Sequence, residues 1–463
     1  MNNNTPPSRR TRREFMKTAG IISAGITAAG VLSTPSAVHA AGSDVIKVGL
    51  VGCGGRGMGS LVDRLKVEDA MKVVALGDVN KAQAMKGMND LSKMEDAKGK
   101  IDLSPDQIFS GFDNYKKVVE LADVVLIGSP PGFHADHFLY AVEKGKHVFI
   151  EKPFCVDAEG YRRCMKASKI AEEKGLTVCA GFQRRYEKKY LEWVSRLHAG
   201  AIGDIVASRV YWNGGGAKDR GAWAEGETEM SFQTHCWYVF AWLSGDHIVE
   251  QHCHNIDTGN WVHSKGDPLG HPVSCVGHGG RQVRKTPKFP FHISGHIFDH
   301  HHVEYRYADG SIMHSACRQI PNCWSLVGDR VSGTKGTAAI GGKGAENGWI
   351  QPTGEERWTY RPKQDRSGYV QEHVDQAEAM REGKRLNDGW HASTASMIAV
   401  MGRMATYSGQ EITWDDAITK GKTLFPYDVE LTFDTVPPVT IGSDRTYEHA
   451  VAMPGEYDPF DKT

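Results

Sequence analysis

Charge of one sign is the first thing this 463-residue sequence lacks: 55 Lys and Arg stand against 56 Asp and Glu, a formal net charge of −1. With no excess of either sign, nothing recommends nucleic acid or an anionic lipid surface as a partner. Cysteine is sparse and scattered. The nine residues (Cys53, Cys155, Cys164, Cys179, Cys236, Cys253, Cys275, Cys317, Cys323) contain no C-x-x-C pair, which argues against a thiol-ligated metal or a disulfide scaffold. Their odd number fits mostly free, buried thiols and leaves a single disulfide open. Tryptophan is missing from the whole N-terminal part, since all eleven lie between Trp193 and Trp414. No internal repeat and no low-complexity block interrupts residues 43–463.

A long, strongly apolar run is also missing. The uncharged stretch Thr18–Val38 contains Gly20, Gly25 and Gly30 with several Ser and Thr, and is too polar for a comfortable membrane anchor. It follows Thr11-Arg12-Arg13-Glu14-Phe15-Met16-Lys17 and runs to Val38-His39-Ala40. A basic region, a weakly apolar region and small residues are the parts of a signal peptide. Paired arginines ahead of Phe and Lys resemble a twin-arginine signal. We expect residues 1–42 to be such a signal, cleaved near Ala40, with the twin-arginine export machinery as a partner and a periplasmic destination. Export in the folded state lets a tightly held nucleotide cross with the protein. About 420 residues then remain, enough for two domains.

What is present is most informative at Val45-Ile46-Lys47-Val48-Gly49-Leu50-Val51, a run that reads as a buried parallel strand. It enters Gly52-Cys53-Gly54-Gly55-Arg56-Gly57, a G-x-G-x-x-G turn, and then a helical stretch from Met58 to Leu65. A second apolar run ends at Gly77-Asp78, and Asp78 lies 21 residues after Gly57. Gly52 and Gly54 permit a tight turn and close approach to a pyrophosphate. Gly57 lets helix pack on strand, and the helix N-terminus stabilises the negative charge. Asp78 accepts hydrogen bonds from an adenosine ribose and repels a 2′-phosphate, favouring NAD over NADP. The bland alternative is a glycine-rich connection in some other α/β protein. Strand, helix and acid at the right separations favour the dinucleotide site.

Further strands are expected at Leu121–Ser129, Lys146–Ile150 and Leu176–Ala180, separated by helices at 135–144 and 158–174. Such alternation implies a doubly wound parallel sheet, with ligands at the carboxyl edge of the strands. Asp78, Pro130, Lys152 and Gln183 all fall at strand ends and are expected to ring one crevice. Beyond about residue 190 the texture shifts to alternating runs such as Val303–Tyr307, with an Asp309-Gly310 hairpin turn before Ser311-Ile312-Met313. Residues 213–232 and 258–292 read as long loops, and a helix is expected from Ala392 to Tyr407, stopped at Gly409. The fold class is therefore α/β, a doubly wound parallel sheet followed by an α+β domain with a largely antiparallel sheet. The divisions are residues 43–155 for the nucleotide domain, 156–436 for the second domain, and a tail from 437 to 463.

These residues together resemble the glucose–fructose oxidoreductase/inositol dehydrogenase (Gfo/Idh/MocA) family. The likeness rests on Gly52–Gly57, Asp78, Ser129-Pro130-Pro131 with His134, Gly145-Lys146-His147-Val148 leading to Glu151-Lys152-Pro153, and Gly181-Phe182-Gln183-Arg184-Arg185. It continues through Glu250–Asp257 and covers residues 43–260 well, the remainder loosely. It implies a Rossmann domain, a C-terminal mixed, open sheet carrying substrate and oligomer contacts, a homodimer or homotetramer, and NAD(P)-dependent chemistry on sugars or polyols. Nucleotide contacts are implied at Gly52, Gly54, Gly55, Arg56, Gly57, Asp78, Ser129, Pro130, Pro131, His134, Glu151, Lys152 and Gln183.

Oxidising a secondary alcohol needs a base for its proton and donors that steady the developing alkoxide. By resemblance, Lys152 of Glu-Lys-Pro points between nicotinamide and substrate, and desolvation beside a cationic ring is expected to lower its pKa. The family also uses an acid four residues ahead of a basic histidine. Glu250 and His254 have that spacing, on one face of a helix, although Asp is more usual at the first position. His247 and His252 compete as base, and Asp246 as acid. Arg184, Arg185, Tyr186, Trp237 and Asp257 are candidates for substrate contacts, with surface salt bridges and core packing as the ordinary alternatives. His292, His296, His300, His301 and His302 show no convincing ligand spacing, so no metal is expected. The function expected is NAD(H)-dependent oxidation or reduction of a sugar, polyol, inositol or glycoside. The rivals are a redox-neutral glycosidase or epimerase-like enzyme recycling its bound nucleotide, and a non-catalytic sugar-binding protein.

Overall fold

The computed structural model describes residues 45–216, 223–284 and 295–461. The expected signal peptide and His292 lie outside them. Six short strands form the first sheet: β1 (Ile46–Val51), β2 (Met71–Gly77), β3 (Ile108–Phe109), β4 (Val124–Ile127), β5 (His147–Ile150) and β6 (Val178–Ala180). Their order is β3-β2-β1-β4-β5-β6, every pairing parallel. The strands are almost continuously apolar because helices cover both faces. Strand order reverses between β1 and β4, which opens a crevice at their carboxyl ends.

One boundary moves. Strand β6 pairs in parallel with β5, so the nucleotide-domain sheet runs past residue 155 to Ala180. The sheet is also covered by a helix from much later in the chain, Gly368–Glu382. There Gln376 Nε2 donates to the Val148 carbonyl at 2.9 Å, and the His373 carbonyl accepts from buried Arg64.

The second sheet has nine strands: β7 (Ile205–Gly214), β8 (Ser274–Gly280), β9 (His300–Arg306), β10 (Ile312–Gln319), β11 (Leu326–Gly333), β12 (Gly336–Ile340), β13 (Trp349–Pro352), β14 (Trp358–Thr359) and β15 (Ile412–Thr413). Their order is β14-β13-β12-β11-β7-β10-β9-β8-β15. Only β7 and β10 run parallel, so the sheet is mixed and largely antiparallel. Side chains of β10 alternate between buried and half-buried, the mark of one covered face. The expected hairpin joins β9 to β10 through Asp309-Gly310. The loop expected over 258–292 is corrected in part: Cys253–His263 is a helix and Ser274–Gly280 is β8. The glycines that suggested a loop let β8 lie tight against its neighbours; a β-carbon on Gly279 would stand 2.6 Å from the His300 carbonyl oxygen.

The helix Gly389–Ser408 is buried continuously from Ala392 onward and packs between β8, β9 and the helix Ala158–Lys174. An all-round apolar helix of this kind is an internal strut. The tail wraps its own chain, with Tyr447 fully buried and its hydroxyl on Glu229 Oε1 at 2.7 Å. Among the described residues, no helix is long and apolar enough to cross a membrane.

Candidate active site

The crevice at the strand ends is a cavity of about 980 Å³, at the large end of the roughly 300–1,000 Å³ usual for small-molecule sites. The turn after β1 shapes its floor. Gly52 has φ of +89°, and a β-carbon there would lie 2.4 Å from the Ser129 amide nitrogen. A β-carbon on Gly57 would lie 1.9 Å from the Gly52 carbonyl oxygen. Neither position accepts a side chain without moving backbone. At Gly54 and Gly55, by contrast, nothing stands within 4 Å of an added β-carbon. That open space lies over the first turn of the helix Gly55–Leu65, which has neither an acidic residue nor a side-chain cap. An uncapped helix N-terminus beneath a side-chain-free cradle fits a pyrophosphate.

Asp78 stands at the end of β2. Its Oδ2 accepts from the Cys53 amide at 2.8 Å and its Oδ1 from the Asn80 amide at 2.9 Å. Burial raises its pKa, and the two amides pull against that rise. The carboxylate is thus fixed at the rim of the cradle, where a ribose would be held. His134 braces the opposite wall, its ring nitrogens 2.7 Å from the Ser129 and Pro153 carbonyl oxygens. Burial pushes it down to about 4, against the pull of the two carbonyl oxygens.

At the inner end of the cavity Lys152 meets the second domain. Its Nζ donates to the Glu250 carbonyl at 2.6 Å and to Glu250 Oε1 at 3.0 Å, with both side chains largely buried. Burial alone would lower the Lys152 pKa. The Glu250 carboxylate, helped by Cys253 and Glu151, outweighs it and holds the ammonium above its ordinary value. The lowered pKa expected for Lys152 is therefore corrected, because desolvation acts on a charge that already has its counter-ion. Glu250 Oε2 is buried without a hydrogen-bond partner. Glu151, next in line, accepts from Arg56 Nε at 2.6 Å.

The structure gathers Gly52, Gly54, Gly55, Arg56, Asp78, Ser129, Pro130, Pro131, His134, Glu151, Lys152, Trp237 and Glu250 around one cavity. It does not bring His254 to that wall. Glu250 ends a one-turn segment, His247–Glu250, and the next helix starts only at Cys253, so the pair does not share a continuous helical face. His254 stacks on Trp212 with ring centroids 5.9 Å apart and meets the edge of Phe182. Burial, then the Lys152 and Arg184 charges, hold it well below the usual histidine range.

Gln183, Arg184, Arg185, Tyr186 and Asp257 also lie off the lining, and the four charged or phenolic groups are spent on internal partners. Arg185 grips Asp257 through Nε at 3.0 and 3.1 Å and Nη2 at 2.7 Å. Buried Arg184 donates to the His254 carbonyl, Thr258, Asn255 and Asp329. Tyr186 donates to Asp388. The turn Gln183–Tyr186 thus ties the end of β6 to the helix Cys253–His263 rather than reaching the cavity. Sequence reasoning missed Phe112, His137, Glu227, Ser231, Thr234, His235 and Phe433, which also line the cavity. Phe112 and Phe433 pack at 5.3 Å from segments more than three hundred residues apart, a meeting that no local pattern announces.

This geometry coincides with a family signature. Residues 46–182 match the model of an oxidoreductase family with an NAD-binding Rossmann fold, Gfo/Idh/MocA. That segment carries the likeness to the family. Its curated relatives include an inositol 2-dehydrogenase of Gluconacetobacter diazotrophicus, 30% identical over 161 residues, which are 34% of this chain and 43% of that protein. Another, from Agrobacterium fabrum, is 34% identical over 148 residues, 32% of this chain and 39% of the relative. The matches thus span about two fifths of those enzymes' length. Beyond that segment, likeness is carried by fold. The aldose-aldose oxidoreductase of Caulobacter crescentus superposes with a TM-score of 0.59 at 15% identity, covering 80% of this chain and 99% of that one. The WlbA dehydrogenase of Bordetella pertussis, solved with NADH and UDP-GlcNAcA, gives 0.59 at 17% identity, over 80% and 98% of the two chains.

Proposed function

We propose that the protein is an NAD(H)-dependent oxidoreductase acting on a secondary hydroxyl of a sugar, polyol, inositol or glycoside. The observation that carries this reading is the Lys152–Glu250 pair, contributed by two domains and set at the inner end of the nucleotide cavity. The nicotinamide, when bound, supplies or accepts a hydride. The rest falls to residues of this chain. Gly54, Gly55 and the helix N-terminus hold the pyrophosphate, and Asp78 the ribose. The Lys152 ammonium donates to the reacting oxygen and steadies it as negative charge develops. In the oxidative direction Lys152 takes the hydroxyl proton while passing one of its own to Glu250 Oε1, so the lysine stays an ammonium, the carboxylate ends protonated and the pair gains the one positive charge the alcohol gives up. Trp237 and His235 flank the space left for a ring-shaped substrate. His254 sits behind this pair as a neutral imidazole and packs the wall.

The N-terminal twin arginines support export to the periplasm with nucleotide already loaded. That same feature favours, as a second reading, a redox-neutral glycosidase or epimerase-like cycle, because a retained nucleotide must be regenerated in place. Native mass spectrometry of the exported protein tests for copurified nucleotide and for the dimer or tetramer we infer. A panel of sugars, polyols and aryl glycosides, followed at the reduced-nicotinamide absorbance with and without added NAD, then separates the readings. Net reduction of added NAD supports the dehydrogenase; turnover of glycosides without added nucleotide supports the recycling enzyme; neither, with any of them, overturns both.

A further inference from the structure

Behind Glu250, away from the cavity, three side chains from two elements converge in a fully buried place. Asp246 precedes the segment His247–Glu250, and His301 lies on β9. One carboxylate oxygen and one ring nitrogen from each histidine all lie within 4.8 Å of one another. His301 Nε2 is 3.3 Å and His247 Nε2 4.0 Å from the same Asp246 Oδ1. Both Nε2 atoms are buried and neither has a hydrogen-bond partner.

The hydrogen bonds around this trio decide which atoms carry protons. The Thr406 hydroxyl donates its one proton to the Arg403 carbonyl at 3.0 Å. Its oxygen must therefore accept from His301 Nδ1, 2.8 Å away. In a neutral imidazole that leaves Nε2 bare, a lone pair facing a carboxylate oxygen. Asp246 Oδ2 is already filled by the Phe298 amide at 2.9 Å and the Tyr407 hydroxyl at 2.6 Å. Its Oδ1 accepts the His247 amide and has one lone pair left. A bare His301 nitrogen and a carboxylate oxygen facing each other, with the unpartnered His247 Nε2 beside them, call for a positive charge between them. A proton on His301 satisfies only two of the three and leaves His247 Nε2 orphaned.

We propose that Asp246, His247 and His301 bind a divalent cation of the Zn²⁺ class, which clamps the turn carrying Glu250 to strand β9. Bonds of about 2.0–2.1 Å set tetrahedral ligand atoms roughly 3.3 Å apart, the spacing His301 and Asp246 already have. His247 Nε2, 4.0 Å from the same carboxylate oxygen and within 4.8 Å of the other ligand atoms, has to close by about 0.7 Å or more to reach that spacing. Two imidazoles and a carboxylate suit Zn²⁺ or Co²⁺ rather than Mg²⁺ or Ca²⁺. The ion is a structural clamp, since none of its three ligands lines the cavity.

The test uses the full chain, stripped with a chelator and titrated with Co²⁺. We expect a four- or five-coordinate ligand-field spectrum saturating at about one ion per chain, displaced by Zn²⁺, and a Zn²⁺-dependent rise in melting temperature. His247→Gln and His301→Gln each weaken binding by at least about ten-fold. Anomalous diffraction at the cobalt edge places the ion among the three residues even if both variants fail to fold. No saturable Co²⁺ binding, an anomalous peak elsewhere, or full affinity in folded variants overturns the proposal.

Discussion

The two sheets were built under different rules. In the first, each strand lies beside another reached by one crossover, and the site residues sit on the turns directly after the strands: Gly52–Gly57 after β1, Asp78 after β2, Ser129 after β4, Lys152 after β5. In the second, the central strand β7 takes both partners, β10 and β11, from about a hundred residues downstream. The functional pair straddles the two. Lys152 is placed by a short-range rule, strand end plus crossover, whereas Glu250 is placed by a one-turn segment whose position depends on the whole second domain. The first region builds the glycine cradle, and the second sets the charge of the lysine at the cavity's inner end.

The largest effect is expected where the first region has no slack. Gly57→Ala drives a β-carbon to 1.9 Å from the Gly52 carbonyl. It should destabilise the chain by about 3 kcal/mol and abolish nucleotide binding, read by denaturant unfolding and by calorimetry with NAD. Gly54→Ala is the control: with open space at that position, it keeps the fold and loses affinity alone. Equal unfolding by both would erase the distinction between packing glycine and cradle glycine.

Next comes the lysine itself. Lys152→Met preserves length and packing but removes the charge. It should cut kcat by about 10²–10⁴-fold while NAD affinity, measured by fluorescence quenching, stays within about threefold. His254→Gln, in a side chain that packs rather than lines the cavity, should cost far less. A loss at His254 equal to that at Lys152 would return the imidazole to the chemistry and displace Glu250.

That comparison also marks how much was legible beforehand. The parallel sheet, its helices and most of the residues around the glycine cradle follow from local pattern, because a strand, a glycine turn and a helix are specified within about thirty residues. The hairpin at Asp309-Gly310 and the long helix ending at Ser408 were legible for the same reason. What escaped depended on distance in the chain. Arg184, Arg185 and Asp257 carry charges that suit a substrate equally well, and only the turn's approach to the helix Cys253–His263 shows them pairing with each other's elements. The spacing of Glu250 and His254 suggested one helix, but the chain breaks at Gln251-His252. A period of four describes a helix only where the helix is unbroken.

Glu250→Gln sharpens the contrast between the regions. It keeps a hydrogen-bond acceptor for Lys152 and removes the carboxylate that raises its pKa. We expect kcat to fall by roughly ten-fold and the alkaline limb of the pH–kcat/KM profile to move to lower pH, since burial then acts on the ammonium unopposed. An unmoved alkaline limb would mean that Glu250 does not set the lysine's charge. A smaller effect still is expected from Asp78→Ser, which removes the carboxylate at the ribose rim and should shift selectivity toward NADP by roughly ten-fold. Unchanged selectivity would detach Asp78 from the ribose.

Acid stability compares the regions without touching catalysis. Burial pushes His134, at the wall of the first region, down to about 4, and His296, in the second, also to about 4, from an ordinary 6.5. Both are neutral in the folded chain, whereas the unfolded chain takes up their protons once the pH falls below about 6.5. In that window the unfolded state binds more protons, so stability rises with pH and is lost as pH falls from 6.5 toward 4, then levels off for these two groups. Asp329 works in the opposite direction: burial lifts its carboxyl to about 6, so the folded state holds that proton more tightly between about 4 and 6 and the second region carries a counterweight. The melting temperature measured at successive pH values should therefore decline through this window. His134→Gln should flatten the slope, whatever it does to the midpoint at pH 7, because the residue that titrates on unfolding is gone. Asp329→Asn should steepen it. If both variants keep the wild-type slope, the acid limb belongs to other groups.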